Sequence, residues 1–188
     1  MKKAIILLAV FACSFHSFSQ QDVGYNTTDA GAEFNHYSGG NIYSLHLAFN
    51  AKLHSSFIIR IGYNVVNESY SGNYQNEKGG GITAGIGYRY YLRYKPSGFF
   101  IGARAEYWNT SIDWTKNPLL IAGNTKSTFF VPAVETGYML VANDRFFLTP
   151  SVSVGSRVNL KSDVVPLKDG LVVYYGVSAG IKIFSLRE

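Results

Sequence analysis

Ser44 and His46 stand two residues apart, and Glu33 lies one predicted strand upstream. A hydroxyl, an imidazole and a carboxylate are the parts of a nucleophile, its base and an orienting group. The trio is therefore worth placing in space. No established motif accompanies it, and a Ser and a His at this spacing are weak support for catalysis. His36 and His54 lie near predicted strand ends and form no metal-ligand spacing. Gly79-Gly80-Gly81 lacks the lysine and the following helix of a phosphate loop, so it reads as a strand entry. No catalytic residue, metal ligand or cofactor is therefore expected.

A second constellation is ionic. Arg60, Arg89, Arg104, Arg157 and Lys182 lie on the polar side of alternating segments, as do Glu33, Glu106 and Glu135. If that side lines a narrow interior, unpaired charges there are costly and the ions should pair. Such a network is either a plug filling the lumen or the lining of a gate. Eight strands leave an interior just wide enough for side chains, which favours the plug.

The elements that must position these groups are strands. Period-two alternation recurs along the chain, and amphipathic helical spacing is missing. In Gly81 to Arg93, Ile82, Ala84, Ile86, Tyr88, Tyr90 and Leu92 share one face, while Thr83, Gly85, Gly87, Arg89, Tyr91 and Arg93 share the other. The pattern predicts eight strands at about 29–37, 41–53, 56–69, 80–93, 98–114, 127–142, 145–160 and 171–184. The first has the weakest alternation and is retained because a closed barrel asks for an even number. Between the strands, short turns at 54–55, 94–97 and 143–144 alternate with polar loops at 70–79, 115–126 and 161–170. That is the arrangement of outer-membrane barrels, with short periplasmic turns and longer outer loops.

A soluble barrel or sandwich would show the same alternation with its apolar face inward. Three features separate the two. Most predicted strands run about 13 to 16 residues, against a mode of roughly 5–6 in soluble proteins. The polar side is rich in Gly and Ser with scattered ions, and poor in the Lys/Glu mix of a solvated surface. Aromatic residues also gather at both strand ends. Phe57, Tyr90, Tyr94, Phe99, Phe146 and Phe184 lie at the short-turn end, and Tyr63, Tyr107, Trp108, Trp114, Phe130 and Tyr175 towards the other. Phe99 and Tyr107 are then separated by roughly 20 Å of height, close to the ~25 Å band between aromatic girdles.

The segments GITAGIGYRYYL, SGFFIGARAEYW and DRFFLTPSVSVG resemble the hairpins of the small outer-membrane barrels of the OmpX/OmpW-like porin superfamily. VSAGIKIF resembles the terminal strand read by the barrel-assembly machinery, although Ser185-Leu186-Arg187-Glu188 follow its last aromatic. The resemblance spans about residues 29–184. It implies an all-β, eight-stranded antiparallel up-and-down transmembrane barrel in a bacterial outer membrane. It carries no function-specific motif.

Residues 1–19 read as a cleaved signal peptide, with Lys2 and Lys3 before the apolar stretch Ala4 to Ala12 and small residues at Ser17 and Ser19. That stretch is too short for a spanning helix, which needs roughly 20 residues. The alternative is a lipobox at Val10-Phe11-Ala12-Cys13, which the bulky Phe11 fits poorly. Cleavage after Ser19 removes Cys13, the single cysteine, and with it any disulfide. Residues 20–188 are the expected barrel domain. The formal net charge of +5 includes Lys2 and Lys3, and no Lys/Arg run appears, so nucleic acid is not an expected partner.

The resulting expectation is a non-enzymatic integral outer-membrane protein with a filled lumen, structural or acting through its outer loops. A small pore or conduit for an apolar solute is the alternative, and a lipid-modifying enzyme ranks behind both. Expected partners are outer-membrane lipids, the assembly machinery during biogenesis, and a surface or envelope protein. Tyr74, Trp114, Leu119, Leu120 and Ile121 are candidate loop contacts, because exposed apolar loop tips can mark binding sites. This topology predicts that cysteines introduced at 115–126 label with an impermeant thiol reagent on intact cells. Labelling at 143–144 instead would invert it.

Overall fold

The computed structural model describes residues 27–52, 54–71, 74–93, 95–116, 121–163 and 170–184. The predicted leader, residues 1–19, and two candidate loop contacts, Leu119 and Leu120, lie outside the described residues.

Eight strands follow one another: β1 (Thr27–Tyr37), β2 (Gly40–Lys52), β3 (Ser55–Ser71), β4 (Tyr74–Tyr91), β5 (Gly98–Lys116), β6 (Ile121–Ala142), β7 (Phe146–Ser162) and β8 (Gly170–Phe184). Each pairs antiparallel with the next, and β8 pairs with β1 to close the barrel. Closure leaves no strand edge along the wall, so its backbone groups bond within the sheet, as hydrocarbon requires. β1, whose alternation is weakest, is held on both sides: Glu33 faces Ser44 of β2 and Ser178 of β8.

Alternation sets the faces. Leu45 and Ile61 are 65% and 62% exposed, while Ser44 and Arg60 beside them are buried. The outward side is a belt of Leu, Ile, Val, Tyr and Phe on β2 to β8, with Phe99, Tyr138 and Phe146 near its lower margin and Tyr63, Tyr107 and Tyr175 near its upper one. A surface this apolar would be a liability in water and is the expected coat in lipid.

The long loops expected at 70–79 and 115–126 are largely strand. β3 and β4 stay paired up to Ser71 opposite Tyr74, and β5 and β6 up to Lys116 opposite Ile121. The third, at 161–170, matches better: β7 stops at Ser162 and β8 begins at Gly170. Above the belt the outer face of the β5–β6 hairpin meets water, while Thr110, Ile112, Thr125 and Ser127 stay buried on its inner face. Ladder hydrogen bonds persist there while the alternation that signals a strand disappears. Asn109, Asp113, Asn124 and Lys126 are exposed on the outer side of this extension. Asn124 Nδ2 donates to Asp113 Oδ1 at 2.6 Å and to Ser111 Oγ at 3.0 Å.

Gly79-Gly80-Gly81 falls within β4. A Cβ on Gly81 would lie 1.8 Å from the Asn109 carbonyl oxygen, so the glycine permits close approach of β4 to β5. At the opposite end Asn143 and Asp144 have φ of 52° and 53°, and Arg145 N–H donates to Ala142 O at 3.1 Å. Two left-handed central residues are the mark of the type I′ turn, whose twist suits a two-strand hairpin.

Ile86 lies in the middle of the lipid-facing belt. Ile86→Arg is expected to lower folding stability in lipid vesicles by about 2–4 kcal/mol, as for a cation at mid-bilayer depth. Urea titration of the vesicle-inserted protein measures this. An unchanged midpoint would argue that the outward face is not in lipid.

Candidate functional site in the barrel lumen

The lumen is stacked in layers, because each inward position on a strand sits at its own height. The middle layer is ionic. Glu33 receives Arg60 Nε at 3.0 Å on one carboxylate oxygen and Arg104 Nη1 at 3.2 Å on the other, and Asn35 Nδ2 donates to it at 2.8 Å. Glu135 bridges Arg60, at 3.3 Å, and Arg89. Arg104 also pairs with Glu106, its Nε donating at 3.0 Å. All six ions are buried. Three arginines thus meet three glutamates across strands β1, β3, β4, β5 and β6, and the cluster is neutral as a whole.

Two predicted members stand apart. Lys182 lies near the short-turn end, with Nζ 3.3 Å from Asp29 and 3.1 Å from the Pro96 carbonyl oxygen. Arg157 lies towards the other end, its guanidinium 5.2 Å from the centre of the Phe129 ring. The ionic set is therefore a six-membered cluster with two outliers, and Asp29 is a partner that the sequence reading did not name.

Apolar layers cover the ions on both sides. On the outer-hairpin side Tyr37, Ile42, Trp108, Phe129, Val131, Val172 and Tyr174 form one buried cluster. The Trp108 ring is 5.5 Å from Tyr37 and 6.2 Å from Tyr174. On the short-turn side Tyr91, Phe100, Met139 and Phe147 form the other. The arginines contact these layers through their flat faces, Arg104 over Tyr174 at 5.3 Å and Arg89 over Phe100 at 4.4 Å.

These layers correct the sequence reading in two respects. Trp108 was placed with the aromatics of the upper belt, yet it points inward, and its Nε1 donates to Glu106 Oε2 at 3.0 Å. The inner face was read as Gly, Ser and ions, yet it also carries large apolar rings. The signal was available: Trp108 continues the parity of Arg104 and Glu106, and Phe129, Val131 and Ala133 continue that of Glu135.

Ser44 and His46 both point inward, but they do not form a nucleophile–base pair. Ser44 Oγ donates to the Glu33 carbonyl oxygen at 3.5 Å. His46 packs against Phe147 at 5.8 Å, and its Nδ1 is 3.9 Å from a Glu33 carboxylate already engaged by two arginines. Both are buried away from the lipid-facing side, where Tyr43, Leu45 and Leu47 stand. Among the loop candidates, the backbones of Tyr74 and Ile121 end the β4 and β6 ladders. Trp114, on the inner side of the β5–β6 hairpin, donates Nε1–H to Thr125 Oγ1 at 2.8 Å. Trp114 is a cross-strand brace within its hairpin.

Glu135 is the test position for the layer. Glu135→Ala would leave Arg60 short of one partner and Arg89 without the carboxylate that holds it, at a cost of about 3–5 kcal/mol for breaking a buried pair. The unfolding midpoint in detergent micelles reads this. No shift would mean that water reaches the arginines freely.

No protein-family model matches the chain, and no curated protein does. Solved structures do. The chain is similar to Ail, the attachment invasion locus protein of Yersinia pestis, at 7% identity and a TM-score of 0.51, covering 85% of this chain and 97% of that one. Ail has also been solved in complex with the heparin analogue sucrose octasulfate. Other similar structures are the N-terminal β-barrel domain of Pseudomonas aeruginosa OprF, at 13% identity and a TM-score of 0.49, covering 85% of this chain and 99% of that one, and Neisserial surface protein A, at 13% identity and a TM-score of 0.45, covering 86% and 97%. At these identities the likeness is one of fold. Closed eight-strand topology, a lipid-facing belt and that likeness together make the chain a small outer-membrane β-barrel of the OmpX-like fold.

Proposed function

We propose that this protein is a non-enzymatic integral outer-membrane barrel whose lumen is sealed by its own side chains, and that it acts through the hairpins standing above the membrane. The carrying observation is the neutral Arg60–Arg89–Arg104 and Glu33–Glu106–Glu135 layer, closed above by Trp108, Tyr37 and Tyr174 and below by Phe100, Tyr91 and Phe147. A hydrated ion crossing this stack would have to displace packed rings and break buried ion pairs. Ser44 Oγ bonds to the Glu33 carbonyl oxygen and His46 packs on Phe147, so this trio supplies no nucleophile–base pair.

What remains free to engage other molecules is the outside. The β3–β4 and β5–β6 hairpins extend past the belt as paired strands, and β5–β6 carries exposed Asn109, Asp113, Asn124 and Lys126 on its outer face, a surface for contact with a surface or envelope protein. The Ail complex with the heparin analogue sucrose octasulfate supports a binding role, since a barrel of similar fold takes a ligand. Export through a cleaved leader at residues 1–19, recognition of β8 by the barrel-assembly machinery, and outer-membrane lipid around the belt complete the proposal.

One observation favours the second reading, a narrow pore. The buried hydroxyls of Thr149, Ser153 and Ser178, on the β7–β8 wall, have no hydrogen-bond partner among the described residues. A thread of water along that wall would satisfy them. Planar-bilayer recording separates the two. The purified protein is expected to insert and give no unitary current steps, whereas regular steps would overturn the sealed lumen.

A further inference from the structure

At the short-turn end lies a recess of about 320 Å³ that the ionic layer does not use. It exists because neighbouring strands end at different heights. β5 begins at Gly98, opposite Met139, so Leu140, Val141 and Ala142 of β6 run on with only β7 beside them. The step opens the recess sideways. Tyr138 and Leu140 line it from the lipid-facing side of β6, where they are 41% and 50% exposed, and Met139 and Val141 line it from the lumen side.

The polar part of the lining is cationic. Arg93 and Lys95 stand on the β4–β5 turn, and Asp144 of the β6–β7 turn is also in the lining. Lys182 contributes to the floor, but Asp29 neutralises it. Arg93 is positioned by a backbone feature. Gly98 has φ of +79°, a conformation few other residues adopt, and a Cβ there would come within 3.1 Å of Arg93 Cδ. The stem of Arg93 lies where a side chain at 98 would press.

We propose that this recess binds one anionic glycerophospholipid from the adjoining leaflet, with its phosphate between Arg93 and Lys95 and its acyl chains along Tyr138 and Leu140. Two cations against one carboxylate favour an anion. The cavity has room for a headgroup but not for a whole lipid. Its apolar wall is continuous with the belt already in contact with acyl chains, which a soluble anion would not need. The site is built like a lipid-headgroup pocket, a basic cluster at membrane-surface height. The inference rests on the membrane-spanning reading above.

The test is native mass spectrometry of the full chain released from vesicles of equal phosphatidylglycerol and phosphatidylcholine. One phosphatidylglycerol should stay bound, and the Arg93→Gln/Lys95→Gln variant should lose it by about 30-fold, the effect of two cations at a lipid surface. Arg93→Lys/Lys95→Arg should retain it. Equal retention of both lipids, or retention unaffected by the Gln pair, overturns the site. Displacement by millimolar glycerol phosphate would assign the binding to free phosphate and overturn the lipid proposal. Folding into the vesicles is read separately, from heat-modifiable migration on a gel. A chain that inserts and retains no lipid overturns this inference alone. A chain that does not insert overturns the membrane reading with it.

Discussion

Charge neutrality inside a narrow, water-poor lumen is the condition on which the other interior choices depend. An eight-stranded barrel has room for side chains and little else. Arg60, Arg89 and Arg104 can occupy it only because Glu33 and Glu135 reach them from other strands and Glu106 meets Arg104 from two positions along β5. Each arginine then needs its flat faces covered as well, and Phe100 and Tyr174 cover two of them. The aromatic layers follow from the ionic one, since they keep water away from the pairs and strengthen them. The same logic accounts for Trp108, whose ring belongs to the apolar layer while its N–H completes Glu106.

The outside obeys the opposite condition. Each outward side chain within the belt meets hydrocarbon, so the alternation is strict from Phe57 to Val65 and from Ile82 to Leu92. Strands could be read there because two solvents, lipid outside and packed ions inside, demand different residues at every second position. Above the belt the outer face is polar, so the apolar–polar contrast is gone. Gly123 to Lys126 pair with Ser111 to Trp114 in a regular ladder, with Asp113, Asn124 and Lys126 exposed outside, yet 115–126 looked like a loop. β1 was nearly lost for a related reason. Ala30, Gly31 and Ala32 are small on both faces, and only the need for an even strand number retained it.

The candidate site was legible in its charges and not in its neighbours. Alternation put Arg60, Arg89, Arg104, Glu106 and Glu135 on one side, and their geometry now shows three-dimensional pairing between residues up to 75 positions apart. Which acid meets which base depends on barrel shear and strand tilt, which no local pattern encodes. Lys182 and Arg157 share the parity of the others and differ in height, so they fell into the same set on paper. Trp108 and Phe129 were hidden because an aromatic ring suits a lipid girdle and a sealed interior equally well.

The seam between β1 and β8 has a kinetic consequence. Asp29 and Lys182 face each other across it, 153 residues apart in the chain, and form an ion pair just inside the wall. All other neighbouring strands are consecutive and can zip locally as hairpins. The seam cannot form until the last strand has been delivered, so closure is the step with the longest loop to order and the slowest to find its register. Until then the sheet carries two bare edges that hydrocarbon will not accept. The protein therefore depends on something to shield those edges for the interval between delivery of Asp29 and arrival of Lys182.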